Sequence, residues 1–180
     1  MYAPDGRRGR LRSIIQRRLV LVERSAAPDP LRGRTLIGIA ERIELPDWGV
    51  ARLRVKIDTG ARTSALHVDG IEEVDGQRVR FWVVLDRKRG KRLQVEAPIA
   101  RVARVRSSSG RAEKRIFVTT RMRLGGVEKE IEISLASREP MIFRMLLGRT
   151  ALGSDFLVDP AHRYLTTPPE LRSKKTSVQR

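Results

Sequence analysis

The 180-residue chain contains no cysteine. That absence excludes a disulfide framework and any thiolate metal site, and it suits a reducing compartment. Aromatic residues make up only 4% of the sequence, so the core is expected to be built from Val, Ile and Leu. The two histidines, His67 and His162, lie far apart and no His-Glu-x-x-His occurs; a tight zinc site would have to rest on carboxylates. No Gly-Lys-Ser/Thr follows a glycine-rich loop, which leaves no P-loop for nucleotide phosphates. Ser and His are too sparse in motif context for a catalytic triad. The longest apolar stretches are interrupted by Arg or Glu, so no transmembrane helix is expected. The opening "MYAPDGRRGRLRSIIQRRLVLVERS" lacks an unbroken apolar region and a small-residue cleavage site, and reads as a cytoplasmic start.

Acidic residues are scarce as well. There are 21 Asp+Glu against 38 Lys+Arg, a net charge of +17. Such an excess predicts a strong positive field and an acidic partner: nucleic acid, ribosome, anionic lipid or a polyacidic peptide. A genomic preference for Arg explains which cation is used, but not the shortage of acids.

Three segments are expected. Residues 1–34 are Arg-rich and carry "AAPDPLRGR"; Leu11–Val22 has the pattern of a short basic amphipathic helix, and the rest is expected to be a flexible arm. Its role is either contact with RNA or ribosome, or none. Residues 35–166 change to short β-type runs. "TLIGIAERIEL" ends at the turn "PDWG". "ARLRVKI" alternates with period two, and "ALHVDGIEEV", "RVRFWVVLD" and "LQVEAPIARVARV" follow. "DRKRGKR" is a basic hairpin turn and "RSSSGR" a small-residue loop. "RIFVTTRMRL" and "EKEIEISLA" flank Gly125-Gly126, the clearest hairpin in the chain. "MIFRMLLG" and "FLVDPAHRYL" complete the domain, with room for only a short helix or turn in "RTALGSD". Residues 167–180 read as a tail. Many short strands with almost no helical periodicity predict an all-β fold, closed or sandwiched.

One stretch asks for chemistry: "VKIDTGARTSALHV", Val55–Val68, where a lone Asp ends an apolar strand and small residues follow. Two carboxyl groups sharing one proton can both activate water and protonate a leaving group, because like charges at short range resist joint ionisation. Gly60 would permit a close backbone approach and an unusual φ, and Thr59 would hydrogen-bond the backbone across the site. The plainer alternatives are an Asx turn or cap for Asp58 and an ordinary turn residue for Thr59.

Asp58-Thr59-Gly60-Ala61 resembles the signature of the retropepsin-like aspartic proteases, Asp-Thr/Ser-Gly after an apolar strand. The longer "DTGARTSALH" is similar to one bacterial branch, often labelled ATP-dependent zinc proteases and associated with glutamate ligases of ribosomal protein modification. "MLLGRTALGSDFLVDPAHRYL" and "VRSSSGRAEKR" resemble the same branch, so the likeness runs from about Leu36 to Leu165. It implies a closed acid-protease barrel and a catalytic Asp58, Thr59 and Gly60. With a single Asp-Thr-Gly, it also implies a two-fold homodimer that brings one Asp from each chain to the axis. Asp155 and Asp159 are alternative second carboxylates, disfavoured because "FLVDP" reads as a strand end at a turn.

The chain departs from viral retropepsins at Arg62, where they carry an acidic residue that pairs with the Arg of the Gly-Arg block. Arg149 therefore needs another partner, and the substrate side becomes more cationic. The stretch between Asp58 and Gly148 is also longer than in a minimal retropepsin. "DRKRGKR" is the expected insertion, and "RSSSG" lies at a more flap-like distance.

The resulting expectation is a cytoplasmic aspartic peptidase that cleaves an acidic, poly-glutamate-type peptide; the family context suggests glutamate tails on a ribosomal protein. Arg62, Thr63, Arg104, Arg106 and Arg115 are candidate substrate-binding residues. His67 is expected to be a structural hydrogen-bonding residue rather than a substrate contact. No metal or other cofactor is expected, despite the zinc label, and any ATP dependence would come from a partner such as an ATP-grasp glutamate ligase. The alternative is a noncatalytic basic module that docks on ribosome or RNA and regulates that ligase. Asp58 separates the two, because a binding module tolerates Asp58→Asn and a peptidase does not.

Overall fold

The computed structural model describes residues 31–86, 90–106, 112–137 and 143–168. The expected basic helix at 11–22, the tip of "DRKRGKR" and the "SSSGR" loop lie outside the described residues. From Gly33 onward the chain forms one compact unit. Its strands among the described residues are β1 Thr35–Gly38, β2 Ala40–Leu45, β3 Val50–Ile57, β4 Ser64–Glu73, β5 Arg78–Asp86, β6 Lys91–Arg106, β7 Ala112–Leu124, β8 Val127–Ala136, β9 Met145–Leu147 and β10 Phe156–Asp159. The only α-helix among the described residues is the four-residue α1, Arg149–Leu152. The fold is all-β, as the strand pattern predicts.

Eight strands form one sheet in the order β2-β3-β9-β4-β5-β6-β7-β8, and further pairings of β2 with β7 and of β4 with β8 bend it back on itself. The buried positions of β3 are Val50, Leu53, Val55 and Ile57, while Arg52, Arg54 and Lys56 face out. That alternation fixes the register, because a one-residue slip would bury three cations. The core is largely aliphatic as expected, with Leu66, Val68, Ile133 and Leu147 fully buried, and Phe81, Phe117 and Phe156 as buried rings. β6 is long enough to serve two partners: Arg92–Pro98 pair with β5 and Ile99–Arg106 with β7. The Gly-Gly hairpin forms as predicted, with Leu124 opposite Val127 and φ of 57° and 84° at Gly125 and Gly126. "PDWG" closes as a single 3-10 turn with Gly49 left-handed at φ 66°.

Two expectations are corrected at the ends of the domain. "TLIGIAERIEL" is two strands, because β1 leaves the main sheet to pair in parallel with β10. The break is forced at Gly38, where an added Cβ would lie 2.6 Å from the His162 carbonyl oxygen, and Ile39 N–H donates to that same oxygen at 2.9 Å. The packed chain also continues one residue past the expected boundary, since Thr167 is buried. The reason is Glu41, whose fully buried carboxylate accepts from Gly38 N and Leu165 N at 2.8 Å each and from Thr166 Oγ1 at 3.0 Å and Thr167 Oγ1 at 3.4 Å. A buried charge is tolerated when its lone pairs are filled in this way.

Glu41→Ala strands two backbone N–H groups in the interior, each costing about 1–3 kcal/mol. Denaturant unfolding is expected to show a loss of about 2–4 kcal/mol, and a loss under about 0.5 kcal/mol would show that the 165–167 segment is not held by this carboxylate.

Candidate active site

The site is built where β3, β9 and β4 meet. β9 runs parallel to β3, with Val55 opposite Met145 and Ile57 opposite Leu147, and antiparallel to β4, with Ala65 opposite Leu146. Asp58 N–H extends this ladder by donating to the Leu147 carbonyl at 2.9 Å. The chain then turns back, and the turn is closed by the Asp58 side chain: Oδ1 accepts from Gly60 N at 3.1 Å and Ala61 N at 2.9 Å. No hydrogen bond engages Oδ2 among the described residues. Asp58 is half-buried, whereas Thr59 and Gly60 are exposed.

The loop is clamped from behind. Arg149 N and Thr150 N donate to the Ala61 and Arg62 carbonyls at 2.9 and 3.0 Å, and Thr150 Oγ1 adds a 2.9 Å bond to Arg62 O. A Cβ on Gly148 would lie 2.6 Å from both the C and O of Thr63. Gly148 N donates to Ser64 Oγ at 3.2 Å, while Ser134 Oγ donates to Ser64 O at 2.9 Å. The close approach expected at Gly60 is therefore found at Gly148. Gly60 has no left-handed φ, and a Cβ there would meet only Asp58 Oδ1, at 3.4 Å; the carboxylate, not backbone handedness, closes this turn. The bond expected from Thr59 across the site is not made among the described residues.

Beside the clamp lies an open groove of about 510 Å³. Arg62, Thr63 and Arg104 line it, and so do Arg101, Phe117, Glu132 and Thr150, which the sequence reading missed. Asp58 does not line it; of the loop that follows Asp58, Arg62 and Thr63 do. Arg101 is committed within it, binding Glu132 through Nε at 2.8 Å and Nη2 at 2.6 Å while its guanidinium sits 3.7 Å from the Phe117 ring centroid. Arg62 and Arg104 meet no carboxylate among the described residues. Arg101 shares the run "IARVARV" with Arg104, and Glu132 shares its alternation with Glu128 and Glu130; those were the available signals.

Arg115 departs from its expected role. It is buried at 4% exposure and bonded to Glu113 at 3.2 Å, so it is not an open substrate contact. β6 ends at Arg106, whose side chain lies outside the described residues. Arg149 is exposed, and its contribution to the loop comes from its backbone. His67 is buried in β4, with Nε2 3.8 Å from Asp69. The alternative second carboxylates have other commitments. Asp155 pairs with Lys129 at 2.6 Å. The Ala161 N–H and then the His162 ring hold the Asp159 carboxyl below its ordinary pKa. The donor set does not fit zinc: His67 faces Asp69 within β4, His162 faces Asp159 from the turn after β10, and no three His, Cys, Asp or Glu converge among the described residues.

The family model described as "Retropepsin-like aspartic endopeptidase RimB" matches residues 36–169. The chain belongs to this RimB-like family. Proteins named probable alpha-L-glutamate ligase from Shewanella pealeana and Desulfotalea psychrophila are 33% and 34% identical to it over 134 residues. Those matches cover 72% and 71% of this chain but 29% and 28% of the relatives, so the chain spans less than a third of their length. A crystal structure of a Legionella pneumophila protein of unknown function superposes with a TM-score of 0.60 at 30% identity, covering 73% of this chain and 98% of that one. The family and the fold thus agree with the resemblance read from Asp58-Thr59-Gly60 and the Gly148-Arg149 block.

Gly148→Ala tests the clamp. Its Cβ cannot fit without moving Thr63, an overpacking cost of about 1–3 kcal/mol, so the melting temperature is expected to fall by several degrees, and Gly60→Ala is expected to be much milder in the isolated chain. Equal shifts for the two would show that the loop is not positioned by β9.

Proposed function

We propose that the chain is an aspartic peptidase acting on an acidic, poly-glutamate-type peptide. The observation that carries this reading is Asp58. One carboxylate oxygen is fixed by two backbone N–H groups, the other has no partner among the described residues, and an arginine-lined groove starts at the next turn. Water attack on a peptide bond needs a base and an acid, and a pair of aspartates sharing one proton supplies both. One chain provides one such aspartate, so the working unit is a two-fold dimer in which Asp58 of each copy meets the other. Thr59 and Gly60, exposed in the single chain, lie where a second copy would approach. The ionised carboxylate takes a proton from water as oxygen attacks the carbonyl carbon. The protonated carboxyl then donates to the leaving amine as the C–N bond breaks, and the shared proton is restored.

The substrate class rests on Arg62 and Arg104. Each exposed Arg–carboxylate contact is worth only about 0.2–1 kcal/mol, so recognition needs several in series, as a run of glutamates offers. The relatives named probable alpha-L-glutamate ligase support a glutamate-rich substrate; a ribosomal protein as carrier of the tail and a cytoplasmic setting belong to the same proposal.

Asp58→Asn is expected to lower hydrolysis of a poly-Glu peptide by at least about 10³-fold with the fold intact by circular dichroism. Excess Asp58→Asn protein mixed into the unaltered enzyme should suppress activity beyond dilution, because mixed dimers carry one carboxylate. Exhaustive chelation should leave the rate unchanged. Full activity of Asp58→Asn would leave a noncatalytic binding module; the lack of suppression on mixing would send the search for the second carboxylate elsewhere.

Charge recognition has its own readout. Salt screens such contacts over roughly 8–10 Å, so KM for the poly-Glu peptide should rise steeply from low to moderate salt, Arg62→Ala should flatten the slope, and a poly-Gln peptide should be a far poorer substrate. Equal cleavage of the two peptides without salt dependence would mean that the groove does not read carboxylates.

A further inference from the structure

A second cationic cluster lies on the outer face of β2 and β3, outside the groove. Arg42 and Arg54 are directly opposed across this antiparallel pair, and Arg52 lies two residues along β3 on the same face. Like charges placed directly opposite each other are destabilising, and no carboxylate relieves them. Glu41 faces the interior, filled by Gly38, Leu165 and the threonines. Glu44 is taken by Arg123 at 2.8 Å. Among the described residues, none of the three guanidinium groups meets an acid. Arg42 Nε is moreover buried without a hydrogen-bond partner, and burial first, then its neighbours Arg52 and Arg54, work against its charge.

These cations are nevertheless held in place. Arg42 lies 5.6 Å from the centroid of the Tyr164 ring and Arg54 lies 5.3 Å from that of Phe143, while Arg54 Nε donates to the Tyr164 hydroxyl at 3.2 Å. Tyr164 is the one non-glycine among the described residues with positive φ, at 59°. A bulky residue there is strained, and such strain persists only where the surroundings hold it. A pocket of about 260 Å³, bordered by Arg42, Arg52, Arg123 and the Glu44 carboxylate that Arg123 binds, opens beside the cluster between β2 and the Gly125-Gly126 turn. It is smaller than the ~300–1,000 Å³ of an ordinary small-molecule site, and suits one charged group of a larger ligand.

We propose that Arg42, Arg52 and Arg54 form a docking site for the phosphate backbone of single-stranded RNA. Guanidinium forks bind phosphate oxygens in bidentate fashion and stack on flat π-systems, and arginines interleaved with aromatic rings are the general pattern of sequence-tolerant single-strand binding. An acidic peptide would satisfy the charge but brings no aromatic ring to stack against the Arg42–Tyr164 and Arg54–Phe143 layers, as a nucleobase does. The site is independent of Asp58, so it stands or falls separately from the peptidase reading.

The test is fluorescence anisotropy of a labelled, mixed-sequence oligoribonucleotide with the full chain over a salt series. Each phosphate contact to a single strand contributes about 0.7 to the slope of log K against log salt. The Arg42→Gln/Arg52→Gln/Arg54→Gln triple variant should therefore lose about 2 from the slope and bind roughly tenfold or more weakly at low salt. A charge-matched control, Lys91→Gln/Arg92→Gln/Lys114→Gln, should change less than half as much. Arg52→Gln, at an exposed position, covers the case in which the triple variant unfolds, and should lose about 0.7. Equal losses in triple and control would overturn the proposal in favour of diffuse attraction. Unchanged RNA binding in the triple, with lost binding of an unlabelled poly-Glu peptide, would reassign the cluster to the peptide. Unchanged RNA binding, with loss of a melting-temperature rise produced by inorganic phosphate, would reassign it to free phosphate.

Discussion

The contact between Gly148 and the Thr63 carbonyl is the constraint on which the site depends. β9 has only three residues, yet it is inserted between β3 and β4 and bonded to both. Strands that short have little pairing energy of their own, so its position is set by sterics. With no side chain at 148, backbone reaches backbone, and the N–H groups of Arg149 and Thr150 then fall in line with the Ala61 and Arg62 carbonyls. The Asp58 loop is thus gripped at both ends, by Leu147 O at its start and by residues 149–150 at its finish. A catalytic carboxylate needs this kind of support, since small displacements of a reacting group carry large rate penalties.

The bonds around Asp58 show why the plain and the functional readings of the motif are hard to separate by sequence. An Asx turn and a fixed catalytic carboxylate use the same two contacts, to the N–H groups two and three residues on. What separates them is the surroundings: a turn of that kind at a surface hairpin needs no clamp, whereas this one is bonded to β9 at its start and to residues 149–150 at its finish. The contrast with Asp75 is instructive. Its Oδ1 also accepts from the N–H groups two and three residues on, Gln77 and Arg78, but it simply links β4 to β5 at an exposed turn.

The local patterns were legible wherever one residue decides the outcome. Period-two alternation located β3, the paired glycines located the β7–β8 hairpin, and Pro46 to Gly49 located the turn between β2 and β3. The Asp58 and Gly148-Arg149 blocks pointed to the two strands that meet. The rest depended on contacts between distant residues. Nothing in "TLIGIAERIEL" shows that it breaks at Gly38, because the obstacle is the His162 carbonyl. The burial of Glu41 under residues 165–167 is equally non-local. Gly60 was assigned the tight approach by its place in the motif, although the backbone that comes closest belongs to Gly148.

Net charge tells less than how the charges are matched. Many of the arginines on the outer sheet are neutralised in place: Arg78 and Arg80 share Glu96, Arg121 binds Asp47, and Arg123 bridges Glu44 and Glu128. Exposed pairs of this kind add little stability, but they remove those surfaces from the positive field seen by a ligand. Among the described residues, two further groups of cations meet no carboxylate: Arg62 and Arg104 at the groove, and Arg42, Arg52 and Arg54 on β2–β3. Their settings differ. The groove cations stand free beside a carboxylate already bound to Arg101, an environment that shows a carboxylate being accepted. Of the β2–β3 cations, Arg42 and Arg54 are layered on aromatic rings, and the acid beside them, Glu44, is taken by Arg123, an arrangement suited to a ligand with both negative charge and flat faces. If both proposals hold, a single basic protein addresses two kinds of acidic partner, because the neighbours of each arginine, and not its charge alone, set what it can bind.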